Sequence, residues 1–466
     1  MASLPSSVTV LDRFQVSPPP GSVPNASLPL TFFDVVWLPT GPVERLFFYP
    51  FPHPTSYFVS HHLPVLKSSL SRTLRHFYPL AGRVVPPRGP SPDAKFQIRC
   101  SDGDSVPLTL AESSDDFRQL SGDQSRGFGR VYGLIPQLPP TDDGSIPLLA
   151  LQITVFPDQG VSIGVAVHHV ACDDSSSIHF VKSWAAACNA EVLSESPLSP
   201  LPPLCDPTVI ADPDGLYYKI LTEMQNLKPA GPPPAPLDLP PVGAEQGDAV
   251  IASFLIGREQ IDRLKQGAMA RAGTTGATHV STFVVACAFA WACLVRAQAG
   301  FYAGKKSAHL LFSVECRGRL EPPVPAGYLG NCLRPCFVEV SMSDLIKDDD
   351  GVFAAAEAIG RAIKGLEHGI LKGAEGWLQK IVSLTPERPM SIAGSPRYRV
   401  YDADFGWGRP IKVEMTSIEK TPGTVSLAES RDGGGGGGIE MGLVLPKRDM
   451  DEFARAFVMA SSFLGT

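Results

Sequence analysis

The sequence predicts a mixed α/β protein of two domains. Three features point that way. The chain has 466 residues, more than one hydrophobic core usually organises. Short apolar runs of strand length alternate with segments of helical period. A proline-dense stretch near the middle separates two halves of similar size. The expected division is a first domain over 1–195, a crossover over 196–241 and a second domain over 242–466, with about 385–405 available to complete the first.

In chain order, the first clear elements are two β-rich runs, Leu148 to Phe156 and Val161 to Val167, joined by Pro157-Asp158-Gln159-Gly160. Four turn-forming residues between apolar runs predict an antiparallel hairpin. HHVACDDSSS follows, then IHFVKSWAAAC, in which Ile178, Val181, Trp184 and Ala185 recur at helical spacing. HHVACDD therefore lies where a strand hands over to a helix. From Ser194 to Pro241 the segments LSPLPPLCDP and PAGPPPAPLDLPP resist regular structure, because proline removes a backbone donor and restricts its neighbour. The second half opens with a strand over Val250 to Ile256 and a helix from Arg258 to Ala272. A buried apolar helix over Ser281 to Leu294 comes next, capped by Thr278 or Ser281. Six glycines, Gly433 to Gly438, read as a hairpin loop. They match GxGxxG only formally, since no strand-to-helix context surrounds them.

Composition narrows the function classes. Hydrophobic residues at 44% and charged residues at 19% fit a globular chain and not a disordered one. MASLPSSVTVLDRFQV lacks the basic, apolar and small-residue regions of a secretory signal and reads as mature sequence. The longest apolar stretch, Val280 to Val295, is too short to span a bilayer. Nine cysteines without CxxC spacing suit free thiols, so the cytosol is the expected compartment and no membrane is expected as a partner. A net charge of −7 without a basic stripe argues against nucleic acid.

Three readings compete over residues 160–179. Gly160-Val161-Ser162-Ile163-Gly164 fits G-x-S-x-G, but a nucleophile elbow needs a strand before its serine and a helix after it. Here the turn comes first and Ser162 lies inside an apolar strand. His168, His169, Cys172, Asp173 and His179 could ligate a metal, yet no HExxH or paired CxxC spacing is present. Adjacent histidines on a strand also point to opposite faces, so no metal is expected. The third reading takes a strand-end histidine as a general base, because an imidazole with a pKa of about 6.5 accepts a hydroxyl proton near neutrality. Its competitor is a set of polar groups that merely satisfies a strand-to-helix junction.

HHVACDD and, some 230 residues on, Asp404-Phe405-Gly406-Trp407-Gly408 together resemble the HxxxD and DFGWG signatures of the plant BAHD acyltransferases. The likeness runs from the early FYP through VECRGRL to the closing strand and helix. It implies two chloramphenicol-acetyltransferase-like domains, with mixed sheets flanked by helices and an active-site channel at their interface. It maps His169 to the catalytic histidine and Asp173 to the aspartate that holds the loop through an arginine. That arginine is Arg317 or Arg319, with Arg317 preferred. DFGWG is implied to be structural. Tyr328-Leu329-Gly330-Asn331-Cys332 is similar to YFGNC of the branch that acylates anthocyanin, flavonoid and other phenolic glycosides, commonly from malonyl-CoA. Leu329 stands where that branch usually has an aromatic, and Asp174 where a glycine follows HxxxD. Asp174 could cap the next helix.

The implied reaction is acyl transfer from malonyl-CoA or another acyl-CoA to a sugar hydroxyl, with the acyl-CoA as co-substrate, no bound cofactor and a monomeric enzyme. A malonyl carboxylate calls for a cation, for which Lys182 is the candidate. Lys305, Lys306, His309, Arg317 and Arg319 form the best local basic cluster for CoA phosphates. Ser395, in SIAGSPRYRVY before DFGWG, is the candidate oxyanion donor.

Overall fold

The computed structural model describes residues 7–87, 94–193, 202–227, 248–271, 280–347, 350–432 and 437–463. Two lobes are each built around a mixed sheet flanked by helices. The first sheet has six strands in the order Val8–Val16, Val106–Ser113, Leu149–Phe156, Gly160–His168, Pro42–Pro50 and Lys412–Met415. The second has seven, in the order Leu333–Ser341, Ser307–Glu315, Met390–Ala393, Thr424–Glu429, Ile439–Pro446, Ala249–Ile256 and Arg126–Gly127. A smaller four-stranded sheet, Ala26–Pro29, Gln97–Cys100, Arg83–Val85 and Ile146–Pro147, lies apart from both.

The expected hairpin forms. Gly160–His168 pairs antiparallel with Leu149–Phe156 on one side and with Pro42–Pro50 on the other, and all nine of its residues are buried. That burial explains a continuous apolar run where an edge strand would alternate. It also places Ser162 inside the sheet, where no nucleophile elbow can form. The helix Asp174–Leu193 follows and buries Ile178, Val181, Trp184 and Ala185 in the first core. In the second lobe, Ala249–Ile256, Arg258–Arg271 and Thr282–Ala297 form close to their expected bounds. Ser281 caps the last of these, its hydroxyl accepting from the Val284 N–H at 3.3 Å; Thr278 lies outside the described residues. No described helix is long and apolar enough to cross a membrane. All nine cysteines are free thiols.

The lobes exchange strands. Arg126–Gly127, from the first half, pairs at the edge of the second sheet, and Lys412–Met415 returns from the second half to pair with Pro42–Pro50. The stretch near 385–405 therefore does not extend the first sheet: Met390–Ala393 lies in the second. It is instead the segment around Val400 to Phe405 that packs into the first core. A third apolar cluster, with Phe48, Met415, Ile251 and Val444, joins the two sheets.

The crossover over 196–241 departs from expectation where it is described. Leu216–Asn226 is a helix. This part has no proline, its Leu216, Tyr217 and Ile220 share a buried face, and Asp212 accepts from the Leu216 and Tyr217 N–H groups at 2.6 and 3.0 Å. Residues 196–201 and 228–241 of that stretch, and 433–436 of the glycine run, lie outside the described residues.

Candidate active site

The central strand Gly160–His168 ends at the two histidines. His168 turns back on its own chain, with Nδ1 accepting the Val170 N–H at 3.2 Å. Burial, reinforced by the charges of His169 and Lys420, pulls its pKa down to about 4. His169 lies one residue beyond, half-buried, with its ring stacked on Trp37 at a centroid distance of 3.7 Å and an interplanar angle of 4°. His169 Nδ1 meets Asn331 Oδ1 at 3.2 Å. Desolvation is the main influence on the imidazole and lowers its pKa from 6.5, against the opposing effects of Asp173, Asp174 and Asn331. His169 is therefore held neutral at neutral pH, as a proton acceptor must be.

Asp173 is directed away from that ring. One carboxylate oxygen accepts the Ser176 N–H at 3.0 Å and so caps the helix Asp174–Leu193. The other sits 2.7 Å from Arg317 Nη1 and accepts the Cys332 N–H at 3.1 Å. Arg317 is 4% exposed, and its second terminal nitrogen donates to the Tyr328 and Gly330 carbonyls at 3.1 and 2.9 Å and to Ser176 Oγ at 3.0 Å. Burial opposes its charge, but the Asp173 carboxylate outweighs burial and the pKa rises. Tyr328-Leu329-Gly330-Asn331-Cys332 is thus the strap that closes over the strand-to-helix loop. A Cβ on Gly330 would stand 2.6 Å from the Tyr328 ring, which explains the glycine there. Arg319 is exposed.

Asp174 is not the helix cap, since Asp173 fills that position. Asp174 instead forms a two-pronged pair with Arg45 of the strand Pro42–Pro50, at 2.6 and 3.1 Å. Consecutive carboxylates are each tied by an arginine, one from either half of the chain. An aspartate in place of the usual glycine is accommodated because Arg45 neutralises it.

Asp404 to Gly408 forms a tight turn. Asp404 Oδ1 accepts the Gly406 and Gly408 N–H groups at 2.8 and 2.9 Å, with both glycines at positive φ, 96° and 83°. Phe405 meets Trp184 edge-on at 4.9 Å, and Trp407 Nε1 donates to His62 Nδ1 at 3.1 Å. The turn fastens the second half of the chain to the first core, and none of its described bonds reaches His169.

The remaining candidates are spread out. Lys182 is half-buried and donates to the Tyr398 carbonyl at 2.8 Å. Burial lowers its pKa. Lys305 pairs with Glu387 at 2.6 Å and lies over the Phe301 ring, and Lys306 is exposed beside it. Lys305 and Lys306 precede the strand Ser307–Glu315 and Arg317 and Arg319 follow it, so they stand at opposite ends of that strand, with Arg317 paired to Asp173. Ser395 caps the short turn Pro396–Tyr398, its hydroxyl accepting the Arg397 N–H at 3.3 Å. Sequence reasoning missed Thr31, Asp34 and Trp37, which stand beside His169 and Asn331. Their only signal was T-x-x-D, a variant of the capping box. Asn331 was legible as part of a motif but not as the partner of the histidine ring.

The chain matches the model of the Transferase family over residues 6–459. It is 34% identical over 472 residues to the malonyl-coenzyme A:anthocyanin 3-O-glucoside-6''-O-malonyltransferase of Dahlia pinnata, covering 98% of each chain. It is 35% identical over 470 residues to the coumaroyl-CoA:anthocyanidin 3-O-glucoside-6''-O-coumaroyltransferase 2 of Arabidopsis thaliana, covering 97% of each. Its fold is similar to that of vinorine synthase, with a TM-score of 0.65 and 22% identity over 96% of each chain.

Proposed function

This chain belongs to the Transferase family as an acyl-CoA-dependent BAHD acyltransferase, in the branch of the plant malonyl and acyl transferases of phenolic glucosides, and on that premise we propose that it carries malonyl from malonyl-CoA to a sugar hydroxyl of a flavonoid, anthocyanin or simpler phenolic glucoside, with His169 as the base. The observation that carries this reading is the neutral, half-buried His169, whose ring bears an amide partner and no carboxylate.

In the proposed reaction a free ring nitrogen of His169 takes the hydroxyl proton as the sugar oxygen attacks the thioester carbonyl. The tetrahedral oxyanion collapses, the C–S bond breaks, and the departing CoA thiolate receives the proton from the imidazolium. The products are the ester and free CoA, and the histidine ends as it began. Asp173 holds the loop rather than relaying protons, because both of its oxygens are engaged with Arg317, Cys332 and Ser176.

The malonyl preference rests on YLGNC and on a cation. Arg45 and Arg317 are engaged by Asp174 and Asp173, and the candidate cation for a malonyl carboxylate is Lys182, which donates to a backbone carbonyl. A hydroxycinnamoyl donor is the second reading, favoured by the similar likeness to a coumaroyltransferase. Offering malonyl-, acetyl- and coumaroyl-CoA together at equal concentration, with a panel of phenolic glucosides, separates the two. Malonyl esters should predominate, and Lys182→Ala should raise KM for malonyl-CoA roughly 10-fold while leaving acetyl-CoA nearly unchanged. Predominance of coumaroyl or acetyl esters would reject the malonyl assignment.

A further inference from the structure

Building on the reading of His169 as the base, we infer that Asp34 and Asn331 are positioning residues that decide which nitrogen of His169 carries its hydrogen. Asn331 is fully buried. Its amide nitrogen faces three oxygens: Asp34 Oδ1 at 3.0 Å, the His169 carbonyl at 2.9 Å and the Val170 carbonyl at 3.5 Å. A flipped amide would set its oxygen against those acceptors with no hydrogen between them. Oδ1 is therefore the atom turned toward His169 Nδ1, and an amide oxygen only accepts. Nδ1 bears the hydrogen, and Nε2 of the neutral ring keeps its lone pair for the substrate hydroxyl.

Asp34 sets the amide. Its Oδ1 also accepts the Asn331 backbone N–H at 3.0 Å, while Oδ2 is held by the Thr31 N–H and hydroxyl at 2.8 and 2.6 Å. Trp37, three residues further along the same short segment, stacks on the ring and opposes its rotation. TFFDVVW thus provides the carboxylate that orients the amide and the surface that fixes the imidazole plane. An acid–base chain that orients a histidine through its Nδ1–H is assembled here with a neutral amide next to the ring and the carboxylate one step behind.

Nitrogen-15 NMR of histidine-labelled protein at about pH 8, where the imidazole is neutral, tests this directly. His169 is assigned by its loss in His169→Gln. The parent should show hydrogen on Nδ1. Asn331→Ala and Asp34→Asn should move the hydrogen toward Nε2, the form favoured in water, and lower kcat roughly 10²-fold with little change in KM for the acyl-CoA. Hydrogen on Nε2 in the parent overturns the inference, and that spectrum decides even if a variant fails to fold. A parent-like tautomer in both variants alongside reduced kcat also overturns it. Failure of the base assignment has a separate sign: His169→Gln would keep its turnover while the parent tautomer was as expected, and the positioning role would fall with it.

Discussion

At the scale of single residues, the two adjacent histidines differ in what their rings touch. His168 bonds to its own backbone and is sealed in the strand end, whereas His169 stacks on Trp37 and meets Asn331. Both are held neutral by burial, but with different consequences for pH. His169 has its pKa lowered from 6.5, so the acid limb of kcat/KM should fall below pH 6.5 as the free enzyme's imidazole becomes protonated. A limb centred above 6.5 would contradict the burial argument. His168 bears on stability. Its folded pKa of about 4 lies below the unfolded value of 6.5, so between these values the unfolded chain binds more protons. The stabilisation is complete above pH 6.5 and is lost as the pH falls toward 4, by roughly 3 kcal/mol at most. His168→Gln should flatten the dependence of the urea midpoint on pH in this window, and an unchanged slope would remove His168 as its source. The residue types of this pair were legible in the sequence. The residue pattern alone did not separate them and only the HxxxD resemblance pointed to His169, because their surroundings depend on Trp37 and Asn331, far away along the chain.

Among the elements, the decisive one is the loop between Gly160–His168 and Asp174–Leu193. Regular structure on both sides was readable from apolar periodicity, and the hairpin from its turn residues. What the pattern could not convey was which carboxylate does which task. Asp173 caps the helix and anchors Arg317; Asp174 reaches the opposite way to Arg45. Removing Asp174 leaves buried Arg45 without its carboxylate, and removing Asp173 leaves Arg317 with only the exposed Glu315 at 3.1 Å; breaking a buried pair from one side typically costs about 3–5 kcal/mol. Asp173→Ala should lower both activity and melting temperature, since it also uncaps the helix and frees the strap at Cys332. Asp174→Gly should lower the melting temperature in an otherwise parental background, and Arg45→Met combined with it should recover much of the loss. Thermal melts of the three variants check this. Full stability in Asp174→Gly alone would mean that the Arg45 pair contributes nothing. The role of Arg45 was hidden because strand pairing, not sequence spacing, brings it across 129 positions to Asp174.

For the whole molecule, the two lobes are joined by exchanged strands, and two buried cations, Lys412 and Arg126, lie on them. Lys412, 0% exposed, sits 2.6 Å from Glu440 of the second sheet and 2.9 Å from Asp123, while Arg126 pairs with Glu414 and Arg431 with Asp123. Lys412→Met should destabilise the protein by about 3–5 kcal/mol, because Glu440 and Asp123 then keep Arg431 as their one cation among the described residues, with the Tyr401 hydroxyl on Glu440. A urea midpoint equal to the parent's would show that the network is dispensable. The two-lobed α/β architecture followed from length and alternation, whereas the exchange did not. A four-residue strand such as Lys412–Met415 carries too little pattern to reveal which sheet it joins. The helix Leu216–Asn226 was overlooked because prolines on either side dominated the reading of that stretch. In the proposed function, turnover depends on one nitrogen base, His169, at the end of the central strand. The direct measurement is the rate of CoA thiol release with saturating malonyl-CoA and phenolic glucoside, compared between parent, His169→Ala and His168→Ala proteins of verified fold. A loss of roughly 10²- to 10⁴-fold is expected for His169→Ala and a much smaller one for His168→Ala. Equal losses in the two variants, or parental turnover in His169→Ala, would contradict it.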